Sequence, residues 1–214
     1  MNKQELLKDV GNVDWESLNH AYGSAINFPE TLENLLQEGP ESELAWNSLI
    51  NLLTWEKVYS ANSATLPIIL TWLGHPAVPH QKMIWEYLYD LMSTSSQNPS
   101  ELGGICREKI ASNLQIYFEL IQKSNEEISI QGYKLLSEIS EKTSEVFNFL
   151  EDQFLSESSL KIKRKILYFQ GRLLRFKTRE HEDLALSFLG KLHKIINNEE
   201  NISAVYRKQL QKPA

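Results

Sequence analysis

Residues 160–179 carry eight bases and no acid. Within them Lys161, Lys165, Tyr168, Arg172, Arg175 and Arg179 recur at steps of three and four. On an α-helix such steps return to one face, so they predict a basic stripe with a single aromatic set into it. Ile162, Ile166, Phe169, Leu173 and Phe176 step in the same way and predict an apolar stripe alongside. Folding requires only the apolar stripe. Cations one helical turn apart repel by a few tenths of a kcal/mol per close pair, so something should offset the basic one. Acids of neighbouring helices, such as Glu145, Glu151 and Asp152, could do so; so could an acidic protein partner or a nucleic acid.

Other chemistries find little footing. The five histidines are His20, His75, His80, His181 and His193, and no two share a helical metal-site spacing with a carboxylate between them. His75 and His80 flank Pro76-Ala77-Val78-Pro79 and read as residues of a turn. Cys106 follows Gly103-Gly104-Ile105 and precedes Arg107, where a helix start and a cation could lower its pKa. No histidine is close in sequence to act as its base, and the simpler expectation is a small buried side chain. Gly103-Gly104 is an isolated pair, not a phosphate-cradling loop, and no Gly-x-Ser-x-Gly elbow occurs. The expectation is a non-catalytic chain with no metal and no cofactor.

Aromatic residues crowd the N-terminal part. Trp15, Trp46, Trp55, Trp72 and Trp85 all lie in the first 85 residues, with Tyr22, Tyr59, Tyr87 and Tyr89. Such density builds a heavy core or lines a binding surface, and core is the better fit. Trp46 and Trp85 sit off the main apolar stripes of their helices, so one of them is expected to be partly exposed. In His20-Ala21-Tyr22-Gly23, Tyr22 is expected to pack as a cap and Gly23 to supply a positive-φ turn.

The elements that must position these residues are helices. The 214 residues include only 9 glycines and 7 prolines, economical use that suits long helices. A chain this long buries roughly 70% of its unfolded surface and folds without metal or disulfide. Three-and-four periodicity runs almost throughout. It predicts a short helix capped by Asp14 and running to His20, and another that starts at Pro29 and is stopped by Gly39-Pro40. Helices over about 41–54, 62–73 and from Pro79 follow. Beyond a polar loop at 93–101, taken as a flexible insertion, it predicts helices at about 102–122, 126–140, 144–156, 160–177, 181–197 and 200–211. No segment alternates well enough to be a strand. Paired helices recur every 33–48 residues or so, in the range of helical-repeat arrays. The fold class expected is therefore all-α: one domain over 1–214, an α-solenoid of about five stacked antiparallel pairs.

Two stretches carry a resemblance. One is His20-Ala21-Tyr22-Gly23-Ser24-Ala25 followed by Pro29; the other is Val58-Tyr59-Ser60-Ala61, then Ala64 and Pro67. Over about residues 14–92 the chain resembles a bacterial family of HEAT-repeat proteins. In that family a His-Gln-Gly-Thr lead-in often precedes Val-Tyr, and here Thr54-Trp55-Glu56-Lys57 stands in its place. The Asp and Arg ladder of HEAT turns is weak, with His75 and Gln81 near its positions. The resemblance implies a right-handed stack of helix pairs used for protein contacts, and some similar proteins resemble immunity proteins that neutralise a toxin.

Charge and composition bound the partner. The formal net charge is −6, which opposes non-specific nucleic-acid binding by the whole surface. It is unevenly spread, with ten acids and three bases in residues 1–60. A single cysteine favours a reducing compartment, Met1–Trp15 does not read as a secretory signal, and no apolar run approaches membrane-span length. The expectation is a cytoplasmic monomer. The expected role is a protein-binding scaffold of immunity or regulatory type that meets an acidic protein surface, such as a toxin's, through the stripe from Lys161 to Arg179. The alternative is a nucleic-acid binder, including a DNA glycosylase built on HEAT-like repeats. A third use of such folds is handling a tetrapyrrole, which no residue here singles out.

Overall fold

The computed structural model describes residues 3–54, 56–174, 181 and 183–192. The described residues are overwhelmingly helical, as the periodicity predicts, and divide into two compact units, residues 1–141 and 142–214. The sequence pattern alone suggests one array; the division falls in the short 3₁₀ turn Ser140–Lys142.

Unit 1 begins with α1 (Lys3–Leu6) and two 3₁₀ turns, Val10–Asn12 and Trp15–Ser17. The helix expected from Asp14 to His20 is replaced by the second of these turns, and Asp14 makes no side-chain cap. The chain then forms a minimal antiparallel ladder, β1 (Asn19–His20) and β2 (Gly23–Ser24), with Asn19 opposite Ser24 and His20 opposite Gly23. Gly23 takes φ +134°, where a side chain would be strained. These two-residue strands are too short for alternation to register in sequence.

Seven helices follow among the described residues of the same unit. They are α2 (Phe28–Leu35), α3 (Pro40–Thr54), α4 (Ser60–Trp72), α5 (Gln81–Gln97), α6 (Glu101–Ala111), α7 (Leu114–Lys123) and α8 (Glu126–Leu136). Pro29 lies in the first turn of α2, where its missing N–H is no loss. Pro40, expected to stop α2, instead begins α3 for the same reason. In α4 the Tyr59 N–H donates to Asn62 Oδ1 at 2.8 Å, closing the first turn.

The polar run at 93–101 is not a loop for most of its length. Through Gln97 it continues α5, because Ser95 and Ser96 turn their hydroxyls back onto the carbonyls of Leu91 and Met92, at 2.6 and 2.9 Å. Conversely, the single helix expected over 102–122 breaks in two. Ser112 Oγ and Asn113 Nδ2 both bond the Lys109 carbonyl, at 2.8 and 2.7 Å, which ends α6 there.

α5 packs against α3, α6 and α8, and α2 pairs with α3 as α7 does with α8. Trp46, Trp72, Trp85, Tyr87 and Tyr117 are all fully buried in this core. Both Trp46 and Trp85 are therefore inside, against the expectation that one is partly exposed. Their rings fill space between helices that a single-helix stripe does not register. Trp15 and Trp72 each donate an indole N–H to backbone, to the Val10 carbonyl at 2.8 Å and the Leu6 carbonyl at 3.2 Å. Arg107 ties the ends of α5 and α8 to α6. It reaches the Glu141 carboxylate at 2.6 Å, the Met92 carbonyl at 3.2 Å, the Glu138 carbonyl at 3.4 Å and Ser96 Oγ.

Unit 2 holds α9 (Thr143–Ser156), α10 (Leu160–Leu174) and a further helix, α11, over residues 183–192. α9 and α10 pack on each other, with Val146, Phe147, Leu150 and Phe154 buried on the first and Ile166, Phe169 and Leu173 on the second. The helix expected at 200–211 lies outside the described residues.

Candidate functional site

The start of α10 is built by its neighbours in sequence. The backbone N–H groups of Ser158 and Ser159 both donate to Glu157 Oε1 at 2.7 Å, and the Lys163 N–H reaches the Ser159 carbonyl at 2.9 Å. This fixes the first turn and hence the rotation of the whole helix. Ile166, Leu167, Phe169, Gln170, Leu173 and Leu174 are buried. Lys161, Arg164 and Tyr168 are exposed, and Lys165 and Arg172 are half-buried.

At 3.6 residues per turn these sets lie across the helix from each other. The expected apolar stripe, Ile162 to Phe176, is thus only one flank of the buried face. Leu167, Gln170 and Leu174 widen that face away from the cations. Ile162 is half-buried at its margin, and Phe176 lies outside the described residues. The cations form the helix's outer face rather than an adjoining stripe.

Of the six residues predicted for the site, Lys161, Lys165, Tyr168 and Arg172 come together on that outer face. Arg175 and Arg179 lie outside the described residues. Sequence stepping missed Arg164, which joins the same face because it stands three residues after Lys161 and four before Tyr168. Tyr168 is 60% exposed, its ring edge-on to Phe169 at 5.3 Å between centroids. Lys163 leaves the face and lies over the Phe154 ring, 5.2 Å from its centroid.

The neighbouring acids are engaged elsewhere. Glu145 pairs with Lys142 at 3.1 Å. Glu151 accepts from Gln170 Nε2 at 3.3 Å and pairs with Lys191 of α11. Among the described residues Asp152 and Lys165 make no ion pair. The three carboxylates considered as internal neutralisers therefore do not include a partner for Lys165.

The remaining sequence-level candidates resolve plainly. Cys106 is fully buried in α6, and burial pushes its thiol up to about 11, opposite to the lowering that a helix start and a cation could give. Lys109 opposes this only in part. His75 sits in the turn after α4, where its Nδ1 accepts from the Ala77 N–H at 3.1 Å. His80 precedes α5 in the left-handed region, φ 55°. Among the described residues no group of three or more His, Cys, Asp or Glu is placed to hold a metal. Among them, too, no helix is long and apolar enough to cross a membrane.

Tyr22 differs from expectation. It is 73% exposed at the hairpin tip, and the cap on this part of unit 1 is made by His20, stacked on Phe28 at 5.5 Å. The Tyr22 ring meets that of His20 edge-on, 6.5 Å between centroids, a contact that leaves most of it open to solvent. A cleft of about 390 Å³ opens elsewhere in unit 1, between Gly74, Trp85, Leu120 and Ile128, with Lys123 and Asn125 at its rim. Asn125 Oδ1 is already occupied by the Ile128 N–H, at 3.1 Å. The chain matches no family model, no curated protein and no solved structure.

Proposed function

We propose that the chain is a non-catalytic protein-binding scaffold, a HEAT-like stack of antiparallel helix pairs, whose outer face on α10 docks an acidic protein surface. The observation that carries this reading is the division of α10. Lys161, Arg164, Lys165 and Tyr168 lie opposite the buried side chains, and Lys165 finds no carboxylate among Glu145 and Glu151, which meet Lys142, Gln170 and Lys191 instead. Tyr168, exposed in their midst, adds an amphipathic ring of the kind that anchors protein interfaces. Positive charge on such a face speeds encounter with an acidic partner and rejects basic ones. A scaffold of this sort acts by immunity-type neutralisation of an acidic toxin or by regulation of an acidic protein. The same ring among cations also suits single-stranded nucleic acid, the second reading.

The test compares the wild-type chain with the double variant Lys161→Glu/Lys165→Glu. The probes are a labelled glutamate-rich peptide of about twelve residues, ~18 Å if helical, and a single-stranded DNA of similar reach. The proposal expects the peptide to bind and the double variant to lose about tenfold or more in affinity, about 1.4 kcal/mol. Equal binding by both proteins, or none by the wild type, overturns it. Tighter binding of the DNA, with a salt slope near −0.7 per phosphate, replaces it with the second reading.

A further inference from the structure

The hairpin of unit 1 holds its exposed tip on a firm frame. The Asn19 N–H donates to Ser60 Oγ at 2.8 Å, the Ala21 N–H to the Leu52 carbonyl at 3.0 Å and the Ala25 N–H to the Leu18 carbonyl at 2.9 Å. The Tyr22 N–H bonds His20 Nδ1 at 3.1 Å, and His20 is itself stacked on Phe28. Trp15 stacks on the other partner of that pair, its ring 5.6 Å from Phe28. A large ring presented on an already ordered backbone loses little further entropy when it is covered.

Tyr22 does not stand alone. Ile26, four residues on, is 55% exposed. Burial, then the Glu56 carboxylate and then Tyr22 raise the phenol pKa of the half-buried Tyr59. Lys57 Nζ lies 5.4 Å from the Tyr59 ring centroid, so the Tyr59 ring already holds a cation. The surroundings are acidic. Glu16 lies beside β2, its carbonyl accepting from Ser24 Oγ at 3.2 Å, and Glu56 flanks Tyr59; both are exposed. Residues 1–60 as a whole carry ten acids against three bases.

We propose that the tip carrying Tyr22 and Ile26, with the adjoining Tyr59, is a second docking surface that takes a basic segment of a partner protein. Arginine or lysine side chains of that segment lie over the exposed Tyr22 ring and meet the exposed carboxylates of Glu16 and Glu56, and its apolar side chains cover Ile26. The surface belongs to unit 1 and is independent of the α10 face.

The experiment titrates a short labelled peptide of alternating arginine and leucine against wild type, Tyr22→Ala and Leu44→Ala, each shown to melt as the wild type does. Leu44 is 66% exposed in the same acidic part of the chain and serves as the control. The expected result is a loss of about tenfold or more for Tyr22→Ala, the mark of an anchoring aromatic, with Leu44→Ala and Lys161→Glu/Lys165→Glu close to wild type. Unchanged binding by Tyr22→Ala, or an equal loss in Leu44→Ala, means diffuse charge attraction and overturns the proposal. A wild-type dimer that Tyr22→Ala abolishes, with no peptide binding, gives the surface to a second copy of this chain and overturns it too.

Discussion

Lys161→Glu should make the protein more stable while weakening partner binding. Lys161 stands in the first turn of α10, a turn that contains no acid. The helix N-terminus bears partial positive charge, so replacing a cation there with a carboxylate gains about 0.3–1 kcal/mol. The change also turns the i,i+4 pair with Lys165 from repulsive to attractive. Each of those two contributions is about 0.2–0.5 kcal/mol. Solvent screening at this exposed position, and the loss of the contact that Lys161 already makes, trim the sum to a gain of at most about 1 kcal/mol. In a chain of this size that is a rise of roughly 2–4 °C in Tm. Thermal unfolding followed by circular dichroism at low and high salt measures it, and high salt should shrink the gain. A fall in Tm refutes the reasoning, because it would mean that Lys161 serves the fold rather than a partner.

Gly132→Ala should destabilise unit 1 even though alanine is the better helix former. A Cβ at Gly132 would lie 2.6 Å from Ile121 Cδ1, so α7 or α8 must shift. Overpacking of about 1–3 kcal/mol outweighs a propensity gain of about 1 kcal/mol, and urea unfolding should show a net loss. Asp90→Asn should raise stability at neutral pH and leave it unchanged in acid. Burial lifts the Asp90 carboxyl above its ordinary value, opposed less strongly by Lys134, while Glu86 adds to the rise. A carboxyl with a raised folded-state pKa contributes stability that is full below its unfolded pKa, about 3.9, and is lost as pH rises through the folded value. Lower stability of Asp90→Asn at pH 7 would show that its attraction to Lys134 prevails.

The all-helical class was legible because apolar spacing is a local property, and α2, α4, α9 and α10 begin within two residues of where the pattern places them. The errors arose where polar side chains decide locally. Ser95 and Ser96 satisfy their hydroxyls on their own helix and let α5 run through a stretch that reads as loop. Ser112 and Asn113 use the same kind of bond to end α6 inside a stretch that reads as one helix. Composition alone does not separate these outcomes, because the choice depends on what the backbone does next.

On α10, the stepping of cations puts Lys161, Lys165, Tyr168 and Arg172 on one side of the helix, with Lys161 and Tyr168 exposed and Lys165 and Arg172 half-buried. The width of the buried face depends on α9 and α11, and one helix's own sequence does not reveal it. Gln170 is the instructive residue. It reads as polar and solvent-facing, yet it is buried because Glu151 is in reach across the helix pair. The exposure of Tyr22 escaped for the opposite reason, since a large aromatic is ordinarily assigned to the core.

Zero-length carbodiimide cross-linking in lysate from the source cells, read by mass spectrometry, asks most directly whether carboxylates of another protein meet the α10 face. It joins lysine amines only to carboxylates in contact. Lys161 and Lys165 should be found linked to Asp or Glu of one recurring partner. Lys123, with 74% of its side chain exposed in unit 1, should not be linked to that partner. Links from Lys161 and Lys165 confined to this chain's own acids, or partner links spread equally over Lys123, would contradict the docking role of α10.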